Sequence, residues 1–204
     1  MTVQMIGAPS FGANCYFLIS ERHAWVVDPS RSSDAILREA TRLGLRIEGI
    51  LLTHGHFDHT TSVDTLRDVL PCPVMIHKAD AIMLTDGKKN AFYDFYGTEC
   101  IHRPADILLE DGQVLTLGEE SIQVIHTPGH TKGSVCFLCG DLLLTGDTLF
   151  SDTVGRCDLW GGNEEDMRTS LQHLRTLPPT LDILPGHGLG STLGAALDQA
   201  AYYL

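Results

Sequence analysis

The sequence predicts an α/β protein of two mixed sheets packed face to face, with helices outside both. Three observations lead there. Short apolar runs bounded by Gly, Pro or Asn turns recur from Cys15 to Leu184, as strands do. Between them lie stretches with apolar residues at helical spacing, so that strands come first and then alternate with helices, twice over. No tandem repeat or low-complexity stretch divides the 204 residues, and a single domain of that length buries a substantial core.

The elements follow in order. Cys15 to Ile19 and Ala24 to Val27 read as a hairpin around Ser20-Glu21-Arg22-His23. Ser33 to Leu43 reads as a helix: Ser32 or Ser33 caps it, Ile36, Leu37, Ala40 and Leu43 form its apolar face, and Gly44 stops it. Ile50-Leu51-Leu52 is a strand end, Val63 to Leu70 a second helix closed by Pro71, Val74 to His77 a short strand and Ala79 to Leu84 a helical turn. The segment Lys88 to Arg103 holds Phe92, Tyr93, Phe95 and Tyr96 without an apolar period; it reads as a loop that roofs a site or packs on a second subunit. Leu108 to Leu117, Ser121 to His126, Ser134 to Leu138 and Leu142 to Leu144 form a run of strands with Gly-containing turns. Glu164 to Leu177 is the clearest helix, capped by Asn163, acidic in its first turn and striped by Met167, Leu171, Leu174 and Leu177. Leu181 to Leu184 is a last strand and Thr192 to Ala200 a last helix.

Four of these apolar runs end in a small residue followed by a His or Asp. His54-Gly55-His56-Phe57-Asp58-His59 follows Ile50 to Thr53; His130 follows Thr127-Pro128-Gly129; Asp147 follows Thr145-Gly146; His187 follows Pro185-Gly186. Loops at strand ends are where rigid scaffolds place chemistry. Three imidazoles and a carboxylate within six residues are costly to fold around unless a cation binds them, and neutral imidazole with carboxylate is a set that borderline divalent ions prefer. Gly55 reads as the position that lets the backbone turn so that the imidazoles converge. The seven candidates, His54, His56, Asp58, His59, His130, Asp147 and His187, exceed the coordination of one ion and suit two sharing a carboxylate. Asp28 also ends an apolar strand, Val26-Val27-Asp28-Pro29.

Composition narrows the function. A net charge of −12 argues against nucleic acid, whose phosphates demand basic patches. No run reaches the roughly 18 apolar residues needed to cross a bilayer, and Met1 to Ser20 has no leader pattern, so a cytoplasmic protein is expected. The six cysteines are scattered and read as reduced thiols. Cys136 and Cys139 lie three residues apart on a buried strand, facing opposite ways, which speaks against a redox pair. Of the histidines outside the pattern, His126 reads as an ordinary hydrogen-bonded residue and His173 as a solvated one on its helix.

The order His-x-His-x-Asp-His, then Pro-Gly-His, Gly-Asp and Pro-Gly-His, resembles the metallo-β-lactamase superfamily from about Asn14 to about Ser191. Thr145-Gly146-Asp147-Thr148-Leu149-Phe150 with Gly155-Arg156 is similar to the glyoxalase II-like group, the hydroxyacylglutathione hydrolases. The resemblance implies an αβ/βα sandwich with two divalent ions, Zn or else Fe or Mn, at one edge. His54, His56 and His130 would hold one ion, Asp58, His59 and His187 the other, and Asp147 would bridge them. A bridging water activated there attacks a thioester such as S-lactoylglutathione, with Asp58 orienting it and moving its proton. It further implies Asp28 as an orienter of a ligand imidazole and Arg156 as the group that binds a substrate carboxylate. Without the resemblance, Asp28 reads as a turn residue and Arg156 as a partner of Asp158 or Asp152.

The chain also departs from the long glyoxalase II proteins. It has one helix after His187 where they carry a helical glutathione-binding domain, and Asp158 stands where they have an aromatic residue. A mononuclear iron persulfide dioxygenase, sharing Gly155-Arg156-x-Asp158, and a metal hydrolase of another ester, thioester or lactone are the alternatives; the full set of seven candidates favours two-ion hydrolysis.

Overall fold

The structure, a computed structural model, describes residues 1–7 and 12–203; residues 8–11, within the opening stretch read above as lacking a leader, and residue 204 lie outside it. The first sheet holds β1 (Thr2–Met5), β2 (Tyr16–Ser20), β3 (His23–Val27), β4 (Arg46–Leu51), β5 (Val74–His77) and β6 (Ile107–Leu109), side by side in chain order. Around its strands run α1 (Ser33–Leu43), α2 (Phe57–Thr60), α3 (Val63–Val69), α4 (Ala81–Thr85) and α5 (Phe92–Tyr96). The second sheet runs β7 (Val114–Leu117), β8 (Glu120–His126), β9 (Val135–Cys139), β10 (Leu142–Gly146), β11 (Asp182–Pro185) and β12 (Ser191–Thr192), with α6 (Glu164–Leu174) after β10 and α7 (Leu193–Gln199) last.

Both sheets are mixed. β1–β2–β3 pair antiparallel and β3–β4–β5–β6 parallel; β7–β8–β9–β10 pair antiparallel, β10–β11 parallel and β11–β12 antiparallel. Strand periodicity sorts the side chains into three cores. Phe17, Val26, Ile50 and Ile76 face Ile36 and Ala40 of α1 and Leu66 of α3. Tyr16, Leu18, Leu51 and Met75 face Ile122, Val124, Phe137 and Leu144 between the sheets. Ile125, Leu143 and Ile183 face Met167 and Leu171 of α6 and Leu193 and Leu197 of α7. The layers are therefore helix, sheet, sheet, helix, the single-domain α/β sandwich that the sequence implies.

The helix caps account for two boundaries. The Ser32 hydroxyl accepts from Ala35 N, and Gly44 at φ 66° ends α1 in the left-handed region. Asn163 accepts from the amides of Glu165 and Asp166 at the start of α6. Cys136 falls in the core under α6 and α7 and Cys139 in the core between the sheets, so the two thiols do face opposite ways; burial pushes both up to about 11.

The main differences from the sequence reading concern the backbone. β1 is an added edge strand on β2. The stretch 108–117 is two strands in two sheets: Ile107–Leu109 closes the first on β5, and a turn at Gly112 (φ 70°) carries the chain across to open the second at Val114. α6 ends at Leu174 rather than Leu177. The aromatic segment read as a loop contains α5, closed at Gly97 in the left-handed conformation.

Candidate metal centre

All seven candidate residues come together at one end of the two sheets. β4 lies between β3 and β5 and delivers Thr53 to His59 there; the turn after β8 brings His130, Gly146 at the end of β10 brings Asp147, and Gly186 after β11 brings His187. Their donor atoms form three overlapping groups, His54–His56–His130, His54–His59–Asp147 and Asp58–His59–His187, each within 4.8 Å. Asp147 reaches both sides: Oδ2 is 3.5 Å from His130 Nε2 and 3.5 Å from His187 Nε2, and Oδ1 is 3.3 Å from His59 Nε2. Asp58 Oδ2 lies 3.2 Å from His187 Nε2. His54, His56, His59, His130 and Asp147 are buried, whereas Asp58 and His187 are about a third exposed, so the cluster opens toward solvent on their side.

Hydrogen bonds fix which nitrogen points inward for three of the imidazoles. The single proton of the Thr53 hydroxyl goes to Asp28 Oδ2 at 2.7 Å, so Thr53 Oγ1 accepts from His54 Nδ1 at 3.1 Å. His59 Nδ1 donates to Asp28 Oδ2 at 2.9 Å, and His130 Nδ1 donates to the Arg156 carbonyl at 2.6 Å. With Nδ1 engaged, the Nε2 atoms of His54, His59 and His130 turn inward, as ligand imidazoles anchored through their outer nitrogen do. His54 Nε2 and Asp147 Oδ1 are buried without a hydrogen-bond partner, as is His56 Nε2. Buried polar atoms are ordinarily satisfied. Lone pairs converging beside a buried carboxylate ask for a cation, and the all-His/Asp set suits Zn, Fe or Mn.

The electrostatics agree. Burial and the neighbouring imidazoles hold His54 well below its ordinary range, and burial with His130 pushes His56 down to about 3. Burial would lower His59 too, yet Asp147, Asp58 and Asp28 together raise it well above the ordinary value. Burial likewise opposes the rise at His187, which Asp58 and Asp147 drive. Burial would raise Asp147, but His59, His130 and His187 hold it below the carboxylate range. Positive charge is thus stabilised on the Asp147 side, where a divalent ion can take the place of these protons.

Asp28 accepts Thr53 N at 2.8 Å, the Thr53 hydroxyl and His59 Nδ1, from a backbone at φ 49°. Arg156 is bidentate to Asp158 (2.6 and 2.8 Å), half exposed, so a carboxylate of the chain itself fills its fork. A cavity of about 660 Å³ lies along 154–158 with Glu164, Met167 and Arg168 as its other walls, beside the donor cluster rather than over it. α5 packs on Phe57, whose ring is 5.4, 5.8 and 5.7 Å from those of Phe92, Phe95 and Tyr96, and so covers the His56–Asp58 turn. His126 bonds the Lys132 carbonyl and stacks on His77, and His173 is exposed on α6.

The reading of Gly55 needs correction. Its φ is not positive, so no glycine-only turn is made; an added Cβ would stand 2.5 Å from Met83 Cβ, and the glycine serves close packing against α4. Two contributors went unread in the sequence. One is the Arg156 carbonyl. The other is Asp80, fully buried, which takes Gly55 N, the Thr131 hydroxyl and Gly133 N; its only sequence signal is a carboxylate three residues beyond β5.

Comparison with known proteins is consistent with this geometry. The profile of the Metallo-beta-lactamase superfamily matches residues 8–187. A Bacillus subtilis (strain 168) protein named "Probable metallo-hydrolase YqgX" is 38% identical over 190 residues, covering 92% of this chain and 90% of its own. The solved BLEG-1 B3 metallo-beta-lactamase superposes with a TM-score of 0.92 at 33% identity, covering 99% of both chains. TTHA1623, solved in a di-iron-bound form, superposes at 0.84 with 31% identity, covering 99% of this chain and 100% of its own.

Proposed function

We propose that this chain, which belongs to the metallo-beta-lactamase superfamily, is a two-ion hydrolase of glutathione thioesters such as S-lactoylglutathione. It is a metal-dependent hydrolase of that superfamily; the ion count and the substrate are the further steps. The observation that carries the two-ion reading is the position of Asp147, within 3.5 Å of imidazoles on both sides while its buried Oδ1 lacks a hydrogen bond. His54, His56 and His130 would hold one ion and Asp58, His59 and His187 the other, with Asp147 shared. Two bound divalent ions supply hydroxide near neutral pH and polarise the scissile carbonyl.

The chain's own residues do the rest. Asp28 fixes His59 directly and His54 through Thr53, and the Arg156 carbonyl fixes His130. Asp58, whose carboxyl is held below its ordinary range by His59 and His187 against burial, is ionised at neutral pH. From its place at the open side, the Asp58 carboxylate would orient the attacking water and help move its proton. A thiolate leaves without a strong general acid, so a thioester asks little of the protein beyond the ions and Asp58.

The chain is expected to bind close to two ions, measured by elemental analysis of metal-replete protein. A single ion per chain, with oxygen uptake on glutathione persulfide, would replace the reading by the mononuclear dioxygenase. The likeness to a B3 metallo-beta-lactamase makes β-lactams the second substrate class to assay; their turnover with thioesters untouched would overturn the thioester assignment.

Arg156 remains the candidate for the substrate carboxylate, in competition with Asp158. Because the pair is solvent-exposed, Arg156→Ala is expected to raise KM for S-lactoylglutathione only about 3–10-fold with kcat little changed. Asp158→Asn, which frees the guanidinium fork, should lower KM. An unchanged KM in both variants makes the pair structural.

A further inference from the structure

β4 carries the His-rich turn, and its two neighbours in the sheet each send a carboxylate to it. Asp28, directly after β3, takes the amide of Thr53. Asp80, three residues past β5, takes the amide of Gly55 at 3.1 Å through Oδ2. Asp80 then does something Asp28 does not. The same Oδ2 accepts the Thr131 hydroxyl at 2.6 Å, and Oδ1 accepts Gly133 N at 2.7 Å. Gly55 precedes His56, and Thr131 follows His130. One fully buried carboxylate therefore ties together the two loops whose imidazoles, His56 Nδ1 and His130 Nε2, stand 2.8 Å apart.

The packing around Asp80 is built for this contact. Neither Gly55 nor Gly133 has positive φ, so neither glycine is there for a special backbone conformation. A Cβ on Gly133 would lie 2.6 Å from Asp80 N and 2.7 Å from its Oδ1, and one on Gly55 would meet Met83 in the helix that Asp80 leads into. Both loops give up a side chain to let the Asp80 segment in. The Ser134 hydroxyl completes the arrangement: it accepts Thr131 N at 3.1 Å and, since the Thr131 proton goes to Asp80, donates to Thr131 Oγ1 at 2.7 Å. Asp80 accepts from two amides and a hydroxyl, and the His130 imidazole also favours its charge.

We infer that Asp80 is a positioning residue that sets the separation of His56 and His130 and thereby the affinity of the first ion site, leaving the Asp58–His59–His187 side untouched. The inference rests on the two-ion reading, and wild-type stoichiometry in the same titration tests that reading separately. Chelator competition on Zn-loaded full-length protein is the measurement. In Asp80→Asn the amide group brings a donor where donors already converge. One ion should then bind about 10–100-fold more weakly, the range seen when groups orienting metal ligands are removed, while the other stays within about three-fold. In a His187→Ala background, which dismantles the second site, the remaining ion should show the full loss. Two ions of wild-type affinity in Asp80→Asn would overturn the inference, as would equal weakening of both. Should Asp80→Asn fail to fold, Thr131→Val removes the hydroxyl's bond to Asp80 together with the one it accepts from Ser134, and should weaken the same ion about three-fold; unchanged affinity there overturns the inference equally.

Discussion

Asp147→Ala is expected to lower turnover by on the order of 10³-fold or more and to leave the protein with fewer than two ions. The size follows from where the carboxylate sits. It is buried, lies within 3.5 Å of His59, His130 and His187, and draws on residues from both halves of the cluster, so its loss injures both ion sites at once. A residue that only oriented a ligand would cost about 10–100-fold in affinity; a shared ligand removes a bond to each ion and the anion that lets two dications sit side by side. Asp147→Asn separates these effects, since it keeps an oxygen in place but removes the charge. It should retain more metal than the alanine variant yet recover little activity. Elemental analysis and kcat on both variants check this. Full occupancy with near-normal kcat in Asp147→Ala would make the residue structural and remove the support for a shared-carboxylate centre.

What the sequence made legible and what it did not divide along physical lines. The donor residues were readable because each closes an apolar run, and four of them crowd into six consecutive positions. Most strands were readable by composition, and α1 and α6 by their caps, since Ser32, Gly44 and Asn163 act on residues two to four positions away. Contacts between distant segments left little trace. Asp80 reaches partners 25, 51 and 53 residues away, and two of the three are backbone amides, which have no residue identity to read. The Arg156 carbonyl is hidden for the same reason. The crossing at Gly112 was missed because a turn between strands looks alike whether the chain returns to the same sheet or passes to another. α5 was missed because its aromatic residues keep no helical stripe: they pack on Phe57 while Tyr93, Phe95 and Tyr96 stay largely exposed.

Gly186→Ala should weaken the binding of the ions that share Asp147 while leaving the protein folded. An added Cβ would overlap Asp147 Oδ1 and stand 2.7 Å from His59 Cε1, so one methyl group is placed among the donor atoms. The backbone there cannot retreat. Gly186 N donates to the Gly146 carbonyl at 2.7 Å, Asn14 N donates to the Gly186 carbonyl at 2.6 Å, and Tyr16 Oη and Asn14 Nδ2 both donate to the Pro185 carbonyl. The displacement must therefore be taken up by the side chains of Asp147 and His59. Misplacement of about 1 Å costs roughly 10²-fold in rate even far from the chemistry, and here it strikes a shared carboxylate, so a larger loss is expected. Gly186 has no positive φ, hence alanine brings no backbone strain, and the folding penalty should stay within the roughly 1–3 kcal/mol of an overpacked site. Gly188→Ala is the matched control: at φ 75° with nothing within 4 Å of its Cβ, it should lose about 1 kcal/mol to left-handed strain and keep its metal. Thermal unfolding and elemental analysis on the two variants give opposite patterns if the methyl acts on the ions. A Gly186→Ala protein that holds both ions at wild-type affinity would show that the centre tolerates crowding at Asp147, and the tight geometry assigned to it would be wrong.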